Sequence, residues 1–89
     1  MTSRAFTKHA EQRARDRSIP EIAVWLLDHC GVREPAGGGT ERIYFDKRAW
    51  REVERLLGPW RLNKMEQLRR VYSVVSGEGA VVTVAYKDQ

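Results

Sequence analysis

His9, Arg13 and Arg17 are spaced four residues apart, the interval that stacks side chains along one edge of an α-helix. A histidine titrating near neutrality carries protons, and arginine forks bind the nonbridging oxygens of a phosphate. These are the residue types of a phosphate site. The other reading is structural. On a helical wheel Arg17 falls within the arc of Phe6 and Ala10, and an arginine in an apolar stripe needs a carboxylate or the terminal carbonyls of a neighbouring helix as partner. His9 is then a near-surface polar residue. Asp16, one position off the stripe, either orients a base or forms an exposed helix charge pair.

A second constellation is Trp60-Arg61-Leu62-Asn63-Lys64 with Arg69 and Arg70. Basic side chains interleaved with an aromatic track a phosphate backbone and stack a base, so Trp60, Arg61, Lys64, Arg69 and Arg70 are candidate nucleic-acid contacts. Trp60, following Gly58-Pro59, serves equally as a hydrophobic plug behind a helix. Gly37-Gly38-Gly39 lacks the Lys-Ser/Thr of a phosphate-binding loop and precedes a strand, so it reads as a linker. His29 and Cys30 are neighbours on a helix and point about 100° apart, which disfavours a nucleophile and base pair. Cys30 reads as core, and His29 as facing the helix C-terminus. With His9 they do not make the four closely spaced ligands of a structural zinc site. Neither a metal, a cofactor nor an internal disulfide is expected.

The elements that position these residues read as follows. Thr7 caps a helix over 7–17 with a narrow stripe of Phe6, Ala10 and Ala14. Ser18-Ile-Pro-Glu21 fits a capping box, so a second helix runs from there to Cys30, with Gly31 as a left-handed cap. Residues 35–40 read as a flexible loop and 41–45 as a short strand. Asp46 caps a third helix, Lys47–Leu57, which Gly58-Pro59 stops. Residues 60–67 are ambiguous between a helical turn and a loop. Segments 68–76 and 80–87 are rich in Val, Tyr and Thr and flank Gly77-Glu-Gly79 as a hairpin. The expected class is α+β: two N-terminal helices packed on a small antiparallel sheet, with a third helix between the first strand and the C-terminal hairpin. The expected core is Trp25, Leu26, Leu27, Trp50, Val53 and Leu57 with Val74, Val82 and Val84.

With 89 residues, 42% hydrophobic and 31% charged, the chain suits one globular domain over 1–89. No run approaches the roughly 20 apolar residues of a membrane span, and the first six residues lack the order of a signal peptide. A cytoplasmic location follows as an expectation. The net charge of +4 is uneven. Residues 1–17 hold five basic and two acidic groups and residues 41–70 nine and five, while 18–40 is net negative. Folded side by side, the two basic regions would suit a polyanion. A solvated arginine-rich surface is the bland alternative. A domain this short is modestly stable, so a homodimer or a heteromeric complex is plausible.

The opening His9-Ala10-x-x-Arg13-x-x-x-Arg17-x-Ile19, together with Val82-Thr83-Val84 in a closing strand, resembles a family of small prokaryotic domains grouped with the RelE-like and BrnT-like toxins. That group falls in the barnase, EndoU, colicin and RelE class of metal-independent ribonuclease folds. The resemblance covers about the first 20 residues and the last hairpin, and the helix at Lys47–Leu57 departs from the usual pattern. It implies two helices on an antiparallel sheet, and a site of His9, Arg13 and Arg17 with Thr83 and Tyr86 from the final strand. His9 would be base or acid. Tyr86 would be a second proton carrier, though a phenol of pKa about 10 is a poor one, and a strand aromatic packed on a helix is the plainer reading. The expected function is that of a small RNA-acting toxin, meeting RNA or the ribosome and restrained by a cognate protein covering its basic face. The alternative is a non-catalytic module, an inhibitor or regulator that binds a protein or nucleoprotein partner through its charged surface.

Overall fold

The computed structural model describes residues 6–58 and 65–87. In chain order the elements are α1 (Lys8–Asp16), α2 (Glu21–Cys30), β1 (Val32–Gly37), β2 (Thr40–Tyr44), α3 (Lys47–Leu57), α4 (Met65–Leu68), β3 (Val71–Val75) and β4 (Val81–Tyr86). This is the α+β class read from the sequence, with two N-terminal helices on an antiparallel sheet and α3 between the first strands and the C-terminal hairpin. The sheet is a four-stranded meander in the order β1-β2-β3-β4.

The Thr7 side chain accepts from the Ala10 amide at 3.1 Å and starts α1. Asp46 does the same for α3, accepting from Ala49 at 2.7 Å. Each satisfies one of the amides left without an intrahelical partner. Ser18 does not cap α2 as the capping-box pattern suggests. It adopts φ 54°, and the Ile19 amide donates to the Ala14 carbonyl at 2.9 Å. That is the geometry that closes a helix C-terminus, so Ser18 ends α1, and α2 begins behind Pro20 without a side-chain cap. Gly31 is not left-handed either; its φ of −70° and ψ of 159° are extended. Glycine is needed there for space: a Cβ would lie 2.6 Å from both Ile43 Cγ2 and the Leu27 carbonyl oxygen.

The glycine run, read above as a linker, is the turn of a hairpin. Gly38 and Gly39 have φ of 59° and 76°, and a two-residue turn with both central φ positive matches the right-handed twist of its strands. Residues 32–37 therefore form β1, paired from Val32↔Tyr44 to Gly37↔Thr40. α4 begins inside the ambiguous stretch and ends at Leu68, which was expected in a strand, so β3 starts only at Val71; residues 59–64 lie outside the described set.

α2 lies over β2 and β3, α3 packs beside it, and α1 packs on β4. Ala23, Leu26, Leu27, Trp50 and Val53 meet Ile43, Val71, Val75, Val81 and Val84 in one buried cluster. Trp25 and Leu57 border it, half-buried. Val74 and Val82 do not belong to the core as expected. On β3 the inward set is Val71, Ser73 and Val75, which turns Val74 outward. On β4 an irregularity opposite Val74/Val75 puts Val81 against Val75 and Thr83 against Val74. The extra residue, Val82, breaks the alternation, so Val81 and Val84 face inward although they are three apart.

Two substitutions test this packing. Leu26 is completely buried, and Leu26→Ala should cost about 2–5 kcal/mol in urea unfolding. Gly31→Ala has no left-handed strain to explain a loss, yet the overlap with Ile43 should lower stability by about 1–3 kcal/mol. An unchanged midpoint for Gly31→Ala would show that α2 does not sit this close to β2.

Candidate nucleic-acid interface

The α1 stripe is assembled only in part. Arg13 Nε donates to His9 Nε2 at 3.3 Å, one turn apart, and His9 is exposed. Glu11 and Arg15 line a hollow with Ile19 and Pro20, which lead into α2, and with Val24 in its first turns. Across the buried Ala10 line, His9 and Arg13 therefore stand on the flank turned away from α2. Arg17 does not enter the apolar stripe. The helix ends at Asp16, Arg17 is its C-cap with φ −103° and ψ 5°, and its side chain is exposed. Its amide still donates to the Arg13 carbonyl at 3.1 Å, so Arg17 closes the helix while its side chain stays in solvent.

Tyr86 is on a different surface from Thr83. Tyr86 pairs with the buried Val71 and packs half-buried on the helical side, where it lines a hollow of about 480 Å³ with Glu66, Gln67 and Arg70. Thr83 pairs with Val74 and faces the other way. Three residues apart with regular pairing between them, the two side chains fall on opposite faces.

Of the second constellation, Trp60, Arg61 and Lys64 lie outside the described residues. Arg70 donates to the Lys87 carbonyl at 3.0 Å and ties α4 to the end of β4. Arg69 pairs with Glu66 at 3.6 Å, with its guanidinium carbon 6.0 Å from the Trp50 ring centre. Among the described residues the two basic regions meet the sheet at different places: α1 packs on β4, Arg70 bonds the end of that same strand, and Arg42 lies on β2. Cys30 borders the core, its thiol pushed up by burial and then by Glu52. His29 stacks on Trp25 with ring centres 4.0 Å apart, and its Nδ1 is 2.9 Å from the Trp25 carbonyl oxygen.

The sheet face that no described helix covers carries aromatic and charged side chains. Register places them in two cross-strand rows: Glu34, Arg42, Val74 and Thr83, then Val32, Tyr44, Tyr72 and Ala85. Tyr44 and Tyr72 are direct partners, and both are half-buried. The Arg42 guanidinium carbon lies 5.3 Å from each ring centre, within cation–π range of two aromatics at once. Lys87 Nζ is 4.5 Å from the Tyr44 ring centre. Burial pushes the Lys87 ammonium below its usual value and Arg42 pushes it further, while Glu34 and Asp46 pull it back up. Each residue of this group except Lys87 sits at an alternate position of its strand: Arg42 and Tyr44 on β2, Tyr72 and Val74 on β3. That alternation was present in the sequence, but its sign depends on which face the helices take.

No family model, curated protein or solved structure matches the chain. No described helix is long and apolar enough to cross a membrane.

The Lys87 shift is testable by NMR titration of the lysine side-chain carbons. Lys87 should titrate below 10.5, and Arg42→Ala should raise it only part of the way back, since burial is the larger cause. Between the folded value and 10.5 the unfolded chain binds more protons, so this group's contribution to stability rises with pH through that window. A Lys87 that titrates with the exposed lysines would mean that it does not lie over Tyr44.

Proposed function

We propose that this chain acts on RNA and that the strand lies across the open face of the sheet. The observation that carries this reading is Arg42, held 5.3 Å from both Tyr44 and Tyr72 on a face that no described helix covers. Paired phenol rings offer flat surfaces on which unpaired bases stack, each worth about 1–3 kcal/mol. Arg42 and Lys87 place positive charge beside those rings, where a backbone phosphate releases counterions on binding. Thr83 adds a hydroxyl in the Arg42 row, able to donate or accept. The net charge of +4 has the sign a polyanion requires. A cognate protein that covers this face would hold the activity in check, and a binding module without catalysis would use the same side chains.

Fluorescence anisotropy with a labelled single-stranded RNA tests this reading. Tyr72→Ala should weaken binding about tenfold or more through lost stacking. Arg42→Ala should weaken it and reduce the slope of log affinity against log salt by about 1. Tyr86→Ala, on the helical side, should leave affinity unchanged at matched folded fraction. Absence of binding at low ionic strength ends the reading.

Cleavage is a second reading, favoured by the His9–Arg13 hydrogen bond at 3.3 Å, which sets a proton carrier beside a cation. A metal-independent ribonuclease needs a base for the 2′-hydroxyl, an acid for the leaving oxygen and cations for the phosphorane. On a mixed RNA pool with chelator present, His9→Ala should slow cutting by about 10²–10⁴ fold without changing the melting temperature. A wild-type protein that cuts nothing leaves the binding role alone.

A further inference from the structure

Arg42 is the one basic side chain of the two cross-strand rows, and Glu34 is their one acid. Register sets them directly opposite each other on neighbouring strands. Arg42 Nε lies 3.5 Å from Glu34 Oε1. The pair is close but poorly aligned: Arg42 Nε is shut off from solvent and forms no hydrogen bond with a described residue. An N–H in that condition carries an unmet desolvation cost, and a better-placed anionic oxygen would relieve it. The two side chains are 41% and 44% exposed, so water and salt screen their attraction and it is weak. The rings of Tyr44 and Tyr72, both 5.3 Å from the guanidinium carbon, flank Arg42 from its own strand and from the next. Its place does not depend on Glu34 alone.

We propose that Glu34 is the chain's internal stand-in for the bound strand: its carboxylate holds Arg42 until a phosphate oxygen of the RNA takes the guanidinium over. The inference rests on the RNA reading above. Glu34 is then a specificity-determining residue. A ligand that brings only an aromatic ring meets a neutralised Arg42, whereas one that brings an anion displaces the carboxylate and gains a charge-assisted hydrogen bond. The exchange costs affinity and gives discrimination, because an uncharged competitor has nothing with which to replace Glu34.

The test is anisotropy with a fluorescein-labelled single-stranded RNA octamer at low salt, on wild type, Glu34→Gln, Arg42→Ala and the double variant. Glu34→Gln keeps the shape of an exposed side chain and should tighten binding about three- to tenfold. In the Arg42→Ala background the same change should have little effect, because the carboxylate then has nothing to release. Tightening of equal size in both backgrounds would overturn the proposal, since Glu34 would be acting only as a distant charge. So would a wild-type protein that binds RNA and a Glu34→Gln variant that binds no tighter, an outcome that leaves the RNA reading intact. Binding by Glu34→Gln but not by wild type would also overturn it, since the RNA would then fail to displace the carboxylate. Binding by neither removes both. A readout free of RNA accompanies these: Glu34→Gln should lower the Lys87 titration further, because one of the two carboxylates that raise it is gone.

Discussion

The contact on which the rest of the molecule depends is the approach of Gly31 to Ile43. α2 ends where the chain turns into β1, and a single Cβ at Gly31 would collide with the Ile43 side chain and the Leu27 carbonyl at 2.6 Å. Because that atom is missing, Leu26 and Leu27 reach the sheet and shut out water around Ile43. Burial of one face decides the orientation of every strand, since side chains alternate with a period of two. With Ile43 turned in, Arg42 and Tyr44 must turn out. The antiparallel register then carries the same assignment to β3, where Ser73 and Val71 go in and Tyr72 and Val74 go out. The aromatic and basic face follows from a packing contact on the other side of the sheet.

Much of the fold was legible because its signals are local. Thr7 and Asp46 are capping residues in the places where helices start, and Gly77-Glu78-Gly79 separates two strands that do pair. Features set by non-local geometry were not legible. Ser18 matched a capping box, yet the left-handed turn it makes after α1 is decided by how two helices meet. The glycine run advertised freedom, and the hairpin uses that freedom for two positive φ angles in a defined turn. Val82 satisfied the alternation expected of β4, but the bulge inserts it as an unpaired residue and moves the inward position to Val81.

The candidate site divides along the same line. His9 and Arg13 were found from helical spacing, and they do meet. Arg17 was expected in the apolar arc, but as the C-cap of α1 its side chain is exposed. Thr83 and Tyr86, both drawn to the site by resemblance, lie on opposite faces of one strand. Arg42, Tyr44, Tyr72 and Lys87 were passed over because each is unremarkable in its own segment. They become a group only through the Tyr44↔Tyr72 register and the fold of the C-terminal strand. Composition reported the positive charge of the chain, but charge has no address until the strands are ordered.

The two margins of the sheet differ in how they end. At one margin the chain before α1 joins β4, with Phe6 bridging Val81 and the Thr7 amide donating to the Val81 carbonyl at 3.0 Å. At the other, β1 carries Arg33, Glu34 and Pro35, and its register shifts between Pro35 and Gly37. A proline offers no N–H, and a shifted, charged margin is a poor template for a foreign strand. Addition of a foreign strand is therefore hindered along β1 and at the Val81 end of β4. The length of bare edge on which the sheet could add copies of itself is thus shortened.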